Sequence, residues 1–177
     1  MGRIILILGG ARSGKSSFAV SLAAGQSKNI AFVATAIGID GEMKRRIRAH
    51  KDARPKHWLT LEAPYDIEAA LRAMPETTKV VIIDCLTIHI TNLIMKKLTD
   101  ESIFKRISEL FAFIRKSKLT AMIVSNEVGL GLVPNTPLGR RFRDLAGAIN
   151  KLAAQKADQA YFLVSGIPLD LKSKRRN

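Results

Sequence analysis

Short apolar runs alternate along the chain with longer stretches in which apolar residues recur at helical spacing. Five runs predict strands covered on both faces: Ile4–Leu8, Ile30–Ala34, Lys79–Asp84, Thr120–Ser125 and Gln159–Val164. Six stretches predict helices: Lys15–Ala24, Gly41–Lys51, Tyr65–Ala73, Thr87–Leu98, Glu101–Ser117 and Leu138–Ala157. Suitable N-cap residues stand at Asp40, Thr99 and Thr136. The alternation predicts an α/β fold, a mostly parallel sheet with helices on both faces.

Composition narrows the class of protein. The chain has 177 residues, of which 47% are hydrophobic, so we expect a single globular domain over residues 1–171. No apolar run is long enough to span a bilayer, and the single cysteine, Cys85, excludes an internal disulfide, which fits a cytoplasmic protein. The formal charge of +14 indicates an anionic partner, either nucleic acid or nucleotide phosphates. Residues 172–177 form a basic tail that we expect to be disordered.

The most informative motif is Gly9–Ser16, which reads GGARSGKS between the first predicted strand and the first predicted helix. It matches the phosphate-binding loop G-x-x-x-x-G-K-[ST]. Glycines at 9 and 14 allow successive backbone N–H groups to turn toward a phosphate. Lys15 adds positive charge for the β- and γ-phosphates, and the Ser16 hydroxyl can complete the coordination of Mg²⁺. The alternative is an ordinary Gly/Ser-rich turn before a helix.

A carboxylate ends the third apolar run. In phosphate-loop proteins an acid at this position, here Asp84, lies beside the metal and opposite the serine hydroxyl. We therefore expect Asp84 to bind Mg²⁺, with a cap on the following helix as the alternative. Glu127 follows another apolar run and should reach the same sheet edge, where it could bind the metal, orient water, bind substrate or only bond within its loop.

Basic residues surround His50 at the end of the second predicted helix. An imidazole can act as base, ligand or nucleophile, and its nitrogen could attack phosphorus if Lys51 and Arg54 held the phosphates. From composition alone, a solvated histidine on a basic helix is the simpler interpretation. The other two histidines, His57 and His89, are interpreted as structural.

Taken together, these segments resemble the bifunctional adenosylcobinamide kinase/adenosylcobinamide-phosphate guanylyltransferase family of cobalamin biosynthesis. The resemblance covers nearly the whole chain. Its phosphate loop is shared with many families, whereas two strings are much more specific. These are H-K-x-x-R-P-x-x-W at residues 50–58 and N-E-V-G-x-G-x-V-P at residues 126–134.

The resemblance implies a fold related to recombinase-type ATPase cores, a homotrimer and two reactions. A nucleoside triphosphate, ATP or GTP, phosphorylates adenosylcobinamide. GTP then donates GMP to a histidine, which falls on His50, and adenosylcobinamide phosphate takes the GMP to give adenosylcobinamide-GDP. The implied nucleotide contacts are Gly9, Gly10, Ala11, Arg12, Ser13, Gly14, Lys15, Ser16, Ala34, Thr35, Ala36, Lys51, Asp52, Ala53, Arg54, Glu62 and Asp84.

Three rival functions remain at this point. A simpler phosphate-loop kinase for another small molecule would transfer phosphate without a covalent nucleotide. A nucleic-acid-binding ATPase would explain the charge, although the chain lacks an evident recognition module and the resemblance implies no nucleic-acid partner. A nucleotide-binding scaffold without catalysis is the third.

Overall fold

The computed structural model describes residues 1–52 and 54–173. These ranges contain strands β1 Arg3–Gly9, β2 Ile30–Ala34, β3 Leu59–Glu62, β4 Val80–Asp84, β5 Thr120–Asn126, β6 Gln159–Val164 and β7 Ile167–Asp170. They also contain helices α1 Lys15–Ala24, α2 Gly41–Asp52, α3 Ile67–Arg72, α4 Leu86–Met95, α5 Asp100–Lys116 and α6 Pro137–Lys156. Ala53 and residues 174–177, which include most of the predicted tail, lie outside the described residues.

The strands form one sheet in the order β3-β2-β4-β5-β1-β6-β7. Neighbouring strands from β3 to β6 are parallel, and β7 alone pairs antiparallel, with β6. Parallel strands need crossover connections, and the described helices provide them. This confirms the predicted mostly parallel α/β sheet.

Alternating residues of the sheet feed two separate cores. In β1, Ile5 and Ile7 join a core with Ala19 and Ala23 of α1. The intervening positions Ile4, Leu6 and Leu8 join the larger core, to which α3, α4, α5 and α6 contribute. Because side chains of a strand alternate between faces, helices cover both sides of the sheet, as predicted. The central strands are buried on both sides, which explains their continuous apolar sequences.

Side chains cap the starts of the helices where the sequence predicts them. Thr99 and Thr136 accept hydrogen bonds from the backbone N–H groups of Ser102 and Gly139, which confirms both as N-caps. Asp40 accepts one from Met43 N at 2.7 Å, as expected for the start of α2. None of the residues of α2 is buried, in contrast to every other described helix.

The sequence patterns missed β7, the strand at one edge of the sheet. Strand β7 has four exposed residues and contains Pro168, so neither burial nor propensity marks it as a strand. A turn with positive φ at Ser165 and Gly166 folds it back on β6. Beyond it, Lys172 and Ser173 donate their backbone N–H groups to Asp170 Oδ1 at 2.8 and 2.9 Å.

Within the described ranges, no helix combines the length and apolar character that crossing a membrane requires.

Candidate nucleotide-binding site

The segment between β1 and α1 has the backbone that its glycines predict. Gly9 and Gly14 have φ values of 151° and 91°, in the region that side chains rarely adopt. A Cβ on Gly9 would also lie 2.6 Å from the carbonyl oxygen of Leu163. Arg12 has a φ of 57° at the exposed tip, next to exposed Ala11 and half-buried Gly10. The loop therefore needs glycine at both ends, as a phosphate-binding loop does.

Lys15 is buried at the start of α1, where its side chain folds back over the loop. Its Nζ donates to the carbonyl oxygen of Gly10 at 2.5 Å and lies 3.4 Å from Ser13 Oγ. Burial lowers the pKa of Lys15, whereas the nearby Cys85 and Asp84 raise it. The ammonium is thus held at the centre of the loop, and phosphate oxygens could replace its present acceptors.

Asp84 ends β4 at the same edge of the sheet and is half-buried. The α4 helix that follows is capped by Cys85, whose Sγ accepts from Ile88 N at 3.4 Å. The alternative role of Asp84 as a helix cap is therefore wrong. No hydrogen bond or ion pair within the described part of the chain occupies its carboxylate. This carboxylate raises the pKa of both Lys15 and Arg54 against the effect of burial.

The predicted contact residues on β2, β3 and β4 lie together where these neighbouring strands end. Ala34 pairs with Glu62 of β3 on one side and with Asp84 of β4 on the other. Thr35 is fully buried, and its hydroxyl accepts from Cys85 N and donates to Cys85 O, both at 2.8 Å. Half-buried Ala36 follows it. The β2 end is therefore attached directly to the β4 end.

A small pocket beside the phosphate loop brings His50 close to α1. It has a volume of about 200 Å³ and is lined by Ser16, Ser17, Val20, Ser21, Phe32, His50 and Arg54. Ser16 and His50 thus share one pocket although 34 positions separate them in sequence. The imidazole is exposed, so a ligand bound in the pocket could reach it.

Arg54 and Phe32 stack on each other in the lining of this pocket. The guanidinium carbon of Arg54 lies 3.3 Å from the ring centroid of Phe32, which is 1% exposed. Burial lowers the pKa of Arg54, and the charge of Asp84 opposes that effect. The pocket therefore offers a flat stacked cation beside the phosphate loop, a geometry suited to phosphate or to an aromatic base.

Lys51 and Asp52, which lie between His50 and Arg54 in sequence, are more exposed than Arg54. Lys51 Nζ and Glu62 Oε1 are 3.8 Å apart, and both side chains are exposed. Asp52 is exposed as well, and the predicted contact at Ala53 lies outside the described residues. The Lys51–Glu62 pair is the described ion pair that joins α2 to the sheet.

Glu127 lies directly after β5, next to the phosphate loop. Its backbone N–H donates to the carbonyl oxygen of Gly9 at 3.0 Å. Its Oε1 accepts from Gly129 N at 2.7 Å, so the loop hydrogen bond that was one of its possible roles is formed. A second carboxyl oxygen remains for another partner.

The two other histidines differ from His50. His89 is 3% exposed, its Nδ1 lies 3.0 Å from the carbonyl oxygen of Pro64, and burial lowers its pKa to about 4. The structural interpretation of His89 is confirmed, whereas His57 is exposed rather than packed.

Sequence reasoning missed part of the pocket wall. Ser17, Val20 and Ser21 recur at helical spacing beside the loop, a signal that was available. The sequence around Phe32 indicates only a buried strand residue, so its place in the pocket could not be predicted.

The fold and the loop define an α/β protein with a phosphate-binding loop, and solved structures share this fold. An ATPase from the type III secretion system of pathogenic bacteria has a TM-score of 0.59 and 16% identity. The match covers 93% of this chain and 51% of that one. A second solved structure, also of an ATPase domain, has a TM-score of 0.50 and 14% identity, covering 92% of this chain and 69% of that one. These similarities concern the fold alone.

The family follows from the sequence as a whole. The family described as cobinamide kinase / cobinamide phosphate guanyltransferase matches residues 5–171. A bifunctional adenosylcobalamin biosynthesis protein of Pseudomonas aeruginosa is 41% identical over 96% of this chain and 97% of its own length. A protein of the same description from Escherichia coli is 35% identical over 96% and 99%. The chain belongs to this family of bifunctional cobalamin-biosynthesis enzymes, as the resemblance predicted.

Proposed function

We propose that the chain phosphorylates adenosylcobinamide and then transfers GMP from GTP to adenosylcobinamide phosphate through a GMP–His50 intermediate. The observation that carries the proposal is the shared pocket of Ser16, His50 and Arg54. It brings an exposed imidazole next to a loop that is built for a triphosphate. This adjacency supports the proposal over the simpler interpretation of His50 as a solvated histidine on a basic helix.

In the first transfer step, the lone pair of an imidazole nitrogen attacks the α-phosphorus of GTP. A nitrogen–phosphorus bond forms, the bond from the α-phosphorus to the bridging oxygen breaks, and pyrophosphate leaves with the bonding electrons. Lys15 and the amides of the phosphate loop stabilise the charge on the departing oxygens. Arg54, which stacks on Phe32 in the same pocket, would hold the α-phosphate.

In the second transfer step, a phosphate oxygen of adenosylcobinamide phosphate attacks the same phosphorus. The new bond to oxygen replaces the bond to nitrogen, and His50 regains its free lone pair. The kinase step uses the other end of the triphosphate: the substrate hydroxyl attacks the γ-phosphorus and a nucleoside diphosphate leaves. Asp84 and Glu127 are the two candidate acceptors of the hydroxyl proton.

The residues at this site fit a Mg²⁺ ion. The Ser16 hydroxyl and the Asp84 carboxylate are oxygen ligands, and nothing in the described part of the chain occupies that carboxylate. No group of three or more His, Cys, Asp or Glu side chains in that part could hold a metal alone, which suits an ion whose other ligands are phosphates and water. When bound, Mg²⁺ neutralises charge on the transferring phosphates.

The direct test is the intact mass of the protein after incubation with GTP and Mg²⁺. We expect an adduct with the mass of one GMP, stable to alkali, labile to acid and mapped to His50. The adduct should be absent in His50→Ala, while the same substitution at exposed His57 should leave it unchanged. A GMP adduct that persists in His50→Ala would place the nucleophile elsewhere. Phosphoryl transfer with no adduct at all would favour the simpler kinase.

We further propose that the protein is a homotrimer, as the resemblance implies. Support comes from large apolar side chains that are more than 45% exposed on two segments: Leu130, Leu132, Val133, Leu138, Val164, Ile167, Leu169 and Leu171. Such surfaces are typical of protein interfaces. Light scattering should give three times the mass of one chain, and the mass of a single chain would exclude the trimer.

A further inference from the structure

A line of buried and half-buried hydrogen bonds runs beneath the candidate nucleotide-binding edge of the sheet. It begins at Asn150 of α6, passes through Asn126 and Thr87, and reaches Cys85 next to Asp84. Thr35 then joins Cys85 to the end of β2. We call these five residues, Asn150, Asn126, Thr87, Cys85 and Thr35, the buried polar line. It connects the ends of three strands that carry candidate site residues.

Asn150 is the anchor of the line on the helix side. It is 5% exposed, within a helix face that otherwise contributes apolar residues to the larger core. Its Oδ1 accepts from Ser125 Oγ at 2.7 Å, which leaves Nδ2 to donate to the carbonyl oxygen of Asn126 at 3.0 Å. The carbonyl oxygen of Asn126 can only accept, so it fixes the orientation of the amide and leaves Oδ1 for the serine hydroxyl.

The carbonyl that Asn150 satisfies lies at the last residue of β5. Beyond Asn126 the strand leaves the sheet, so its backbone groups need partners other than a neighbouring strand. Asn150 provides the partner for the carbonyl oxygen, and Thr87 Oγ1 accepts from the N–H at 3.2 Å. The two backbone groups of Asn126 are thus held from two helices, α6 and α4.

Glu127, the residue after Asn126, links the end of β5 to the phosphate loop. Glu127 N donates to the carbonyl oxygen of Gly9, the first residue of the loop. On the other side of the line, Thr35 N donates to the carbonyl oxygen of Asp84 at 3.1 Å. Glu127 and Asp84 are therefore each one residue away from the buried polar line.

A purely structural role could be filled more simply. An apolar residue at position 150 would pack in the core without the cost of burying an amide. Such a residue would stabilise the helix but would leave the end of β5 without its partner. The buried amide is thus explained by the placement of the strand end rather than by packing.

We propose that Asn150 is a positioning residue for the transfer reactions, holding Glu127 and, through Thr87, Asp84 in place relative to the phosphate loop. The proposal rests on the proposed function, because it needs these two carboxylates to act at the site. Asn150 itself touches neither nucleotide nor acceptor. Its removal should therefore affect the rate of transfer more than the binding of GTP.

The test compares Asn150→Asp, the double variant Ser125→Ala/Asn150→Leu and the control Ile149→Val, a core substitution one residue away. Asn150→Asp keeps the acceptor for Ser125 and loses the donor to Asn126. The double variant removes Ser125 Oγ together with its partner, so no unpaired hydroxyl is left, while the carbonyl oxygen of Asn126 still loses its donor. We expect both to lower kcat for GMP transfer by about 10- to 100-fold, with KM for GTP within about twofold of the parent.

A second measurement does not depend on catalysis. Hydrogen exchange at the Glu127 amide should be faster in both Asn150 variants than in the parent and in Ile149→Val. A folded double variant with parental kcat, or with parental hydrogen exchange at Glu127, would overturn the proposal. If the double variant does not fold, the same two results in Asn150→Asp would overturn it. If kcat follows the melting temperature across all three variants, Asn150 is structural only. A parent protein without GMP transfer would instead contradict the proposed function, and the exchange measurement would still test the positioning.

Discussion

Helices α1 and α2 contribute to the same pocket but are held in very different ways. Helix α1 begins at buried Lys15 and packs Ala19 and Ala23 against the sheet. Helix α2 has no buried residue and carries His50 near its exposed end. The helix that follows the phosphate loop is thus anchored in the core, whereas the proposed nucleophile lies on a surface helix. We therefore expect that nucleotide binding and the proposed covalent transfer can be changed independently by mutation.

The largest effect should come from the α1 side. Lys15→Ala removes the ammonium that offsets charge on the phosphates, so kcat/KM for both transfers should fall by about 100- to 1000-fold. Steady-state assays of GMP transfer and of phosphorylation would measure it. Lys28→Ala, which removes an exposed cation near the end of α1, should have no effect. Loss of only one of the two activities would show that the reactions do not share the loop.

The second-largest effect should come from Asp84→Asn, which tests the proposed role of Asp84 as a Mg²⁺ ligand. The amide is a weaker ligand for Mg²⁺, so the Mg²⁺ concentration at half-maximal activity should rise by about 10- to 100-fold. A Mg²⁺ titration of the GMP-adduct yield would show the shift. The control is Asp100→Asn, whose carboxylate pairs with Arg141 instead. An unchanged Mg²⁺ midpoint in Asp84→Asn would remove Asp84 from the metal site.

The same substitution placed in both helices tests their different attachment directly. Ala19→Leu forces a larger side chain into a fully buried position and should lower the free energy of unfolding by about 1–3 kcal/mol. Ala49→Leu, next to His50 on the exposed surface, should change it by less than about 0.5 kcal/mol. Urea unfolding of both variants would measure the difference. Equal losses would mean that α2 is packed as firmly as α1.

The smallest effect concerns the ion pair that joins α2 to the sheet. Lys51→Ala removes the exposed contact with Glu62 and should change the free energy of unfolding by less than about 0.5 kcal/mol. Arg46→Ala, which breaks an ion pair within α2, should behave alike in the same urea experiment. A loss above about 1 kcal/mol for Lys51→Ala alone would show that this pair holds the helix in place.

The local parts of this fold could be predicted from the sequence, because local patterns determine them. The bounds of α1 and of β2 agree with the prediction to the residue, since glycine and apolar runs mark their ends. The α4 helix was predicted to extend to Leu98 but ends at Met95. Strand β7 was missed because exposed residues and Pro168 give it no pattern.

Residues of the candidate site could be predicted only where they belong to a local sequence motif. The phosphate loop follows from spacing within one strand–loop–helix unit, and Asp84 follows from its place at the end of an apolar run. The stacking of Arg54 on Phe32 and the contact of Asn150 with Asn126 join residues that lie 22 and 24 positions apart. Such contacts depend on how helices pack on the sheet, which no local pattern of apolar residues encodes.

The single thiol of the chain has a practical consequence. Cys85 is 5% exposed and burial raises its pKa to about 11, so a thiol-directed dye should react with the folded protein very slowly. One cysteine introduced on the surface could then be labelled selectively without first removing the native one. A fluorophore attached at position 49, for example, would report on the surroundings of the neighbouring imidazole as nucleotide is added.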